Sequence, residues 1–540
     1  MPGSAAVAER AGLLRSSAVI SAGVLLSRLT GLLRTVVLIA LLDNSPLGDV
    51  YNFANNVPNL VYELLAGGVL SAVLLPLFVD LLRNEDTDGI SALVSVSVGA
   101  LAAVTVAGVL AAPALGWAIA GLGGGAADRA AEQAATTALL RWFIPQVFFY
   151  GLITVVTALL QARRRFAAAA FAPALNNVVV IGTYLVVGRV TSLDLTIAPL
   201  DEVLREPRTL ALLGAGTTLG VAVSAFGLLP SLAGSGVRLR ANPDRRNPAV
   251  ASMLVAARGA LGFVLVSQLG VTITSALAKR YRLDEGDYSA WNYANLLFFV
   301  VYGLLVVSIT TALGPELATA AQTGDQRGVR REWLRGLRLI VLLMAPASAA
   351  LGVLALPLMR ILPFRAEAAG TTATIFRLFC FGLLPFSIVQ HIIRASYALS
   401  ERREPFRLAV VQNGVVVGLG IVFTPLFAIT GLSVVYIVGY VVTAVVAFSH
   451  FAHRLGRLRF SEVAMLPRMV AAAVAMATVV AASQALLTWG SRTVPAVVAV
   501  AVGTVVGGVT YPAFLWGLRA DGDLRALLAI GRRLLQRTAR

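Results

Sequence analysis

The sequence is poor in the residues that support disulfides, metal centres and nucleotide chemistry. Its 540 residues include one cysteine, Cys380, one lysine, Lys279, and three histidines. A single cysteine excludes a disulfide framework and a cysteine-based metal site, and three histidines argue against any metal centre. No phosphate loop of the form GxxxxGKS or GxxxxGKT occurs, which excludes nucleotide hydrolysis by that route. We therefore expect no metal and no cofactor.

Charge is scarce as well. Charged residues make up 13% of the chain and hydrophobic residues 58%, and the mean hydropathy is +0.82. A soluble domain has about 25% charged residues, and one soluble core does not grow to this length without splitting into domains. The composition therefore predicts an all-α polytopic membrane protein.

Apolar segments long enough to cross a bilayer recur along the whole chain. A spanning helix needs about twenty mostly apolar residues. On that criterion we predict about fourteen transmembrane helices, at 16–42, 50–82, 90–113, 136–161, 169–188, 209–233, 250–278, 288–320, 334–358, 371–399, 405–427, 431–452, 468–488 and 494–517. No loop between them has room for a large extracytoplasmic catalytic module.

The charge that is present is mostly arginine, with 44 basic against 27 acidic residues. Basic chains often bind nucleic acid, but here the arginines lie in short loops such as 162–166, 238–248 and 327–338, without interleaved aromatic residues. That distribution is typical of cytoplasmic loops. It predicts a multi-pass protein of the cell membrane with both termini in the cytoplasm, no cleaved signal and no nucleic-acid partner.

Two arginines depart from this loop pattern because they lie inside the first predicted span. The segment "SRLTGLLR" places Arg28 and Arg34 among apolar residues. A charge at the bilayer centre costs about 2.5–3.5 kcal/mol and normally faces a bundle interior or a water-filled cavity. Ser27, Gly31 and Arg34 share one helical face, whereas Arg28 lies off it. We predict that Arg34 and Arg28 line a polar cavity.

The second predicted span carries a polar stripe on one helix face. The stripe consists of Asp49, Asn52, Asn56, Asn59 and Glu63. Pro58 should kink this helix, and Gly67 and Gly68 should permit close helix contact. We predict a binding role for the charged members. The asparagines have two open interpretations, substrate binding or hydrogen bonds that only hold helices together.

The second half of the chain offers fewer polar candidates. Gln390, Arg394 and Tyr397 share one face of a predicted span, beside His391, and Asn292 and Asn295 lie in an earlier one. We predict that Gln390, Arg394, Tyr397, Asn292 and Asn295 contribute to a cavity in the second half of the chain. His391 is not part of this prediction.

Several motifs, in order along essentially the whole chain, resemble the MurJ/MviN family. They are "SRLTGLLR", "GDVYNFANNVPNLVYELLAGGVLSAVLLPLFVDLL", "QVFFYGLITVVTALLQARRRFAAAAFAPALNNVV" and "SYALSERREP". The resemblance implies a transporter of the MOP superfamily, with two six-helix lobes around a central cavity and two additional C-terminal helices. It also implies outward movement of the peptidoglycan precursor lipid II by alternating access.

The resemblance also assigns roles and domain bounds. By motif position, the family's essential arginines and aspartate correspond to Arg28, Arg34 and Asp49. The implied organisation is a cytoplasmic lead 1–15, an N-lobe 16–233, a basic linker 234–249, a C-lobe 250–453, two extra helices in 454–517 and a basic cytoplasmic tail 518–540.

The chain departs from the family pattern at three points. It has Tyr62 and Glu63 where many members have two arginines, and Leu296 where they have one. The carboxylates of the sodium site seen in some members are also absent.

Other functions remain open at this stage. The cargo could be another isoprenoid-linked glycan, or the chain could be a non-transporting scaffold in cell-wall assembly. A drug-cation exporter would need an acidic cavity, which two arginines argue against, and a membrane glycosyltransferase would need an acidic extracytoplasmic site. We therefore expect a non-enzyme whose partners are lipid II, membrane lipids and the cell-wall synthesis machinery.

Overall fold

The computed structural model describes residues 3–63, 65, 73–122, 129–281, 284, 286–399, 401, 403–454, 456, 460–487 and 494–525. These residues fold into helices joined by short connections, and no strand occurs among them. The chain divides into two compact units, Met1–Arg280 and Tyr281–Arg540. The predicted all-α fold is confirmed.

The first unit contains eleven helices within the described residues. They are α1 (Gly3–Leu42), α2 (Pro46–Glu63), α3 (Leu75–Arg83), α4 (Thr87–Ala120), α5 (Arg129–Phe143), α6 (Gln146–Ala162), α7 (Ala167–Val190), α8 (Leu200–Arg205), α9 (Pro207–Phe226), α10 (Leu229–Ala233) and α11 (Pro248–Arg280).

Helix boundaries in the first unit follow local chemistry. The Asp86 side chain accepts a hydrogen bond from the backbone N–H of Gly89 at 2.7 Å, which caps α4. Pro207 occupies the first turn of α9, where its missing N–H costs nothing. Pro145 separates α5 from α6, so that two short helices together form one long apolar segment.

The core of the first unit brings α1, α7 and α9 side by side, with α2 against α5 and α6. Glycines allow close approach at these contacts. A Cβ added at Gly214 of α9 would lie 2.5 Å from the Cβ of Trp142 in α5, and one at Gly23 of α1 would lie 2.9 Å from the Cβ of Ala170. This packing brings the polar residues of α1, α2, α6, α7 and α9 together.

The second unit contains eight helices within the described residues. They are α12 (Asp287–Gln322), α13 (Gln326–Val353), α14 (Ala355–Ile361), α15 (Ala366–Ala398), α16 (Arg403–Arg454), α17 (Phe460–Val463), α18 (Met465–Leu487) and α19 (Ala496–Gly517). Here α15 packs against α12, α13 and α16, and α18 packs against α13 and α19.

The core of the second unit is built around Trp333 of α13, which is fully buried. Its ring stacks against His391 of α15 with centroids 6.2 Å apart. His391 is buried, and its Nε2 is hydrogen-bonded to the backbone carbonyl of Trp333 at 3.0 Å. The histidine thus joins α15 to α13.

Within the described residues, eleven segments are long and apolar enough to cross a membrane. The structure also has a helix at each of the other predicted positions. Spans 405–427 and 431–452 both fall in α16, which is broken at Ala428 (φ 51°, ψ −143°), between the two predicted segments. Span 250–278 corresponds to α11, and span 50–82 corresponds to α2 and α3.

The division into units places α11 with the first unit. The lobe bounds 16–233 and 250–453 stay predictions, as do the other domain bounds. Helix α1 begins at Gly3, inside the predicted cytoplasmic lead. Gly67 and Gly68, predicted to permit close helix contact, lie outside the described residues, as does the predicted tail from 526 onward.

Candidate functional site

Five helices of the first unit enclose a cavity of about 380 Å³. We call it the Arg34 cavity. It is lined by Ser27, Gly31 and Arg34 of α1, Asn55, Asn59 and Tyr62 of α2, Tyr150, Ile153, Thr154 and Thr157 of α6, Ala169, Ala172, Pro173, Asn176 and Asn177 of α7, and Thr217, Val221 and Ser224 of α9. Most of these side chains carry an amide or a hydroxyl group, and Arg34 is the only charged one among the described lining residues.

The α1 wall of the cavity is the face defined by Ser27, Gly31 and Arg34. All three residues line the cavity, as expected for positions four and then three residues apart on a helix. Arg28 lies on another face of α1, is exposed and does not line the Arg34 cavity.

The guanidinium of Arg34 has no counter-charge in the described part of the chain. No described acidic side chain forms an ion pair with Arg34, and no described residue accepts a hydrogen bond from it. It lies near the phenol groups of Tyr51 and Tyr150. A permanent charge held this way among apolar helices favours an anion in the cavity, because an arginine fork binds phosphate or carboxylate oxygens bidentately.

The α2 wall consists of Asn55, Asn59 and Tyr62. The Tyr150 hydroxyl donates a hydrogen bond to Oδ1 of Asn59 at 2.9 Å, which orients the amide. The rings of Tyr62 and Tyr150 lie 4.6 Å apart at 33°. These contacts fix a polar group and an aromatic pair on one side of the cavity.

The other members of the predicted α2 stripe lie elsewhere. Asp49 and Asn52 are buried outside the Arg34 cavity, and Asn56 is half-buried and also does not line it. Glu63 is exposed and accepts a hydrogen bond from the Gln268 side chain of α11 at 3.0 Å. The structure therefore brings Ser27, Arg34 and Asn59 together and does not bring Asp49 or Glu63 to either arginine.

Neighbouring asparagines on α7 have different partners. Nδ2 of Asn177 donates hydrogen bonds to the Ser27 carbonyl at 3.1 Å and to the Thr30 hydroxyl at 3.0 Å, which joins α7 to α1. Oδ1 of Asn176 is buried and accepts no hydrogen bond from a described residue, and the same holds for Oδ1 of Asn55 across the cavity. Buried polar atoms are normally paired, so two unpaired acceptors indicate that the cavity accommodates hydrogen-bond donors.

A network of hydroxyl hydrogen bonds borders the cavity. The Tyr51 hydroxyl is hydrogen-bonded to the hydroxyls of Tyr184 and Thr217, each at 2.8 Å. The Tyr51 ring also packs edge-on against Phe143 at 5.3 Å. The Ser224 hydroxyl donates to the Ala172 carbonyl at 2.8 Å. These bonds hold α2, α5, α7 and α9 in place around the cavity.

The predicted residues of the second unit lie on α12 and α15. Asn292, Asn295 and Gln390 are half-buried, whereas Arg394 and Tyr397 are exposed. Helices α12 and α15 pack against each other. None of these five residues lines the cavity that α14, α15, α18 and α19 of the second unit form.

The sequence reasoning missed most of the α6, α7 and α9 walls. Asn176 and Asn177 form an amide pair three residues after Pro173, but no periodic signal in the sequence connects them to Arg34. The sequence does not single out Asn55, because the longest polar stripe on α2, from Asp49 to Glu63, does not include it. Tyr150 sits in an aromatic run that gives no indication of which hydroxyl is turned inward.

Solved structures with a similar fold are membrane transporters. One titled "Lipid II flippase MurJ, inward closed conformation" matches with a TM-score of 0.74 at 17% identity, covering 92% of this chain and 99% of that one. An inward-facing multidrug resistance MATE family transporter of the MOP superfamily matches with a TM-score of 0.62 at 14% identity, covering 79% of this chain and 94% of that one. These likenesses concern the fold alone.

Sequence comparisons are more specific. A family model described as lipid II flippase MurJ matches residues 39–509. The probable lipid II flippase MurJ of Vibrio cholerae is 28% identical over 436 residues, which cover 78% of this chain and 79% of that protein. The lipid II flippase MurJ of Burkholderia cenocepacia is 28% identical over 451 residues, covering 81% and 83% of the two chains. The resemblance seen in the motifs is confirmed: the chain belongs to the lipid II flippase MurJ family and is a multi-pass protein of the inner membrane.

Proposed function

We propose that this chain moves a polyprenyl-diphosphate-linked cell-wall precursor, lipid II, from the inner to the outer leaflet by alternating access, for peptidoglycan synthesis. The names of the relatives support this cargo. The observation that carries the proposal is the Arg34 guanidinium, which faces a polar cavity and has no acidic partner among the described residues.

Arg34 suits the diphosphate part of this cargo. A planar guanidinium donates two parallel hydrogen bonds to phosphate oxygens, and each charge-assisted bond contributes about 1.5–3 kcal/mol. The low dielectric of the helix bundle strengthens the attraction. In this proposal Arg34 binds the diphosphate both by electrostatic attraction and by the fixed geometry of its two hydrogen bonds.

The rest of the cavity suits the glycan head. Hydroxyl and amide groups of a sugar-peptide are donors as well as acceptors, and the unpaired oxygens of Asn55 and Asn176 accept from them. Asn59, oriented by Tyr150, adds a further polar contact. A cavity of about 380 Å³ holds only part of a large headgroup, so we propose that it contacts the sugar next to the diphosphate.

We assign the remaining predicted residues to supporting roles. Arg28, exposed on another face of α1, attracts the anionic headgroup toward the Arg34 cavity. Asp49 and Asn52 shape the buried start of α2. Glu63 binds Gln268, and Asn56, Asn292, Asn295, Gln390, Arg394 and Tyr397 remain candidates for later contacts with the cargo.

Both termini lie in the cytoplasm in this proposal, and the chain performs no covalent chemistry. The membrane potential biases the conformational cycle, since moving one charge through 100 mV is worth about 2.3 kcal/mol. The cell-wall synthesis machinery receives the cargo on the outer side.

Growth after depletion of the native flippase tests this function. Arg34→Ala should fail to support growth at wild-type expression, because it removes the anion-binding group. Arg34→Lys should support partial growth, since it keeps the charge and loses the bidentate geometry. Arg189→Ala, an exposed arginine at the end of α7, is the matched control and should support full growth. Full growth with Arg34→Ala would rule out the proposed role of Arg34.

One observation favours a second cargo, another isoprenoid-linked glycan. Tyr62 lines the cavity at a position where many family members have arginine, and it lies against Tyr150. With tyrosine at this position, the cavity offers the cargo an apolar aromatic surface in place of a positive charge. Mass spectrometry of the polyprenyl lipids that accumulate on depletion distinguishes the two cargoes by their headgroup masses.

A further inference from the structure

A second cavity, in the other unit, has a distinct chemistry. It has a volume of about 250 Å³ and lies among α14, α15, α18 and α19. Two arginines line it, Arg360 in the last turn of α14 and Arg377 in the body of α15. We call it the Arg360 cavity. None of the described residues that line it is acidic.

Neither arginine has a counter-charge among the described residues. Nε of Arg377 donates one hydrogen bond to the Gly352 carbonyl at 3.2 Å, which orients the guanidinium. No hydrogen bond or ion pair joins Arg360 to a described residue. Two like charges facing one cavity repel each other unless an anion lies between them.

The other walls of the Arg360 cavity are mainly apolar. Leu356 and Pro357 of α14 and Ala485 of α18 contribute to them. The side chain of Gln484 donates a hydrogen bond to the Ala499 carbonyl at 3.0 Å, which joins α18 to α19 at the cavity. An anion bound here therefore lies beside apolar surface, a combination that suits an amphiphile.

The depth of the two arginines in the predicted topology points to the same ligand. Arg360 follows predicted span 334–358, and Arg377 lies six residues after the start of predicted span 371–399, which is about 9 Å along a helix. Both positions are at the same side of the membrane, and an arginine about 9 Å inside a span extends its side chain toward the headgroup phosphates.

We propose that the Arg360 cavity binds a phosphate group carried by the headgroup of a membrane lipid. Arg360 and Arg377 hold the phosphate oxygens, and the apolar wall of α14 and α18 contacts the start of the acyl chains. The bound lipid fills the junction between α14–α15 and α18–α19 and stabilises it. This site is separate from the Arg34 cavity and does not depend on the transported cargo.

Lipid titration of the purified full-length chain tests the proposal. The probes are phosphatidylglycerol, diacylglycerol with the same acyl chains, and inorganic phosphate, with bound lipid counted by native mass spectrometry. We expect phosphatidylglycerol to bind at least about tenfold more tightly than diacylglycerol. Arg360→Gln and Arg377→Gln should each weaken phosphatidylglycerol binding about tenfold, the loss expected for one charge-assisted hydrogen bond. Arg189→Gln, the exposed control, should not change it.

Three outcomes would overturn the inference. They are equal binding of phosphatidylglycerol and diacylglycerol to the wild-type chain, unchanged binding in both glutamine variants, and displacement of the lipid by equimolar inorganic phosphate. The wild-type comparison decides the question even if a variant fails to fold. Because the Arg34 variants are read by growth and these by lipid binding, failure of one proposal is distinguishable from failure of the other.

Discussion

Nζ of Lys279 lies 2.7 Å from a carboxylate oxygen of Glu132, and both side chains are almost fully buried. The lysine, the only one in the chain, also lies over the ring of Phe53 at 4.7 Å from the centroid. The ion pair joins α11 to α5, with α2 alongside. Lys279 therefore has a structural role at the contact of three helices of the first unit.

Breaking this pair from one side should strongly destabilise the protein. Lys279→Met or Glu132→Leu breaks the buried ion pair from one side, which costs about 3–5 kcal/mol. The double variant Lys279→Met, Glu132→Leu removes both charges and should be more stable than either single variant. Thermal unfolding in detergent measures the three variants as a double-mutant cycle.

The exposed pair between Arg205 and Asp201 provides the control. Its side chains are 77% and 60% exposed, and the charged atoms are 3.6 Å apart. Asp201→Asn should change the free energy of unfolding by less than about 1 kcal/mol. Additive effects of the Lys279 and Glu132 substitutions would contradict the interpretation of a coupled pair.

The adjacent residues Asn176 and Asn177 should respond oppositely to the same substitution. Asn176→Leu removes an amide whose buried oxygen accepts no hydrogen bond from a described residue. The free energy of unfolding should therefore stay unchanged or rise by up to about 1 kcal/mol. Asn177→Leu removes two hydrogen bonds to α1 and should lower stability by about 1 kcal/mol. Transport should fall severalfold in both, because both residues line the Arg34 cavity.

Unfolding and transport measurements on the two leucine variants check this prediction. A loss of stability with full transport for Asn176→Leu would show that Asn176 holds helices together and does not bind cargo. That result would favour the purely structural interpretation of the asparagines.

Close packing of α9 on α5 gives a third prediction. Gly214→Ala forces a Cβ to within 2.5 Å of the Cβ of Trp142, which cannot rotate away, so the variant should lose about 1–3 kcal/mol of stability. Gly182→Ala in α7 places its Cβ in open space and should be neutral or stabilising by up to about 1 kcal/mol. The unfolding temperatures of Gly214→Ala and Gly182→Ala test this prediction. Equal changes in unfolding temperature would contradict close packing at Gly214.

Sequence periodicity identifies part of the lining of the Arg34 cavity and leaves the rest undetermined. The spacing of Ser27, Gly31 and Arg34 identified one face of α1, and that face lines the cavity. On α2 the same reasoning chose the stripe from Asp49 to Glu63, but the inward face runs through Asn55, Asn59 and Tyr62. Periodicity shows which residues share a face, and only packing decides which face turns inward.

Contacts between residues far apart in the chain could not be predicted from the sequence either. Nothing near Lys279 indicates that its partner is Glu132, because the two meet only after α11 packs beside α5. The grouping of two arginines at the Arg360 cavity likewise depends on how α14 meets α15. The separation of spans 405–427 and 431–452, predicted from length and hydropathy, coincides with the break at Ala428.

The most direct test counts lipid II on each leaflet of vesicles that contain the purified protein. With wild type, the fraction of lipid II that a membrane-impermeant reagent modifies should rise with time after the lipid is placed in the inaccessible leaflet. With Arg34→Ala the initial rate should fall about tenfold or more, the loss expected for a phosphate contact, while Arg189→Ala should match wild type. Equal initial rates for Arg34→Ala and wild type would contradict the proposed role of Arg34 in binding the cargo.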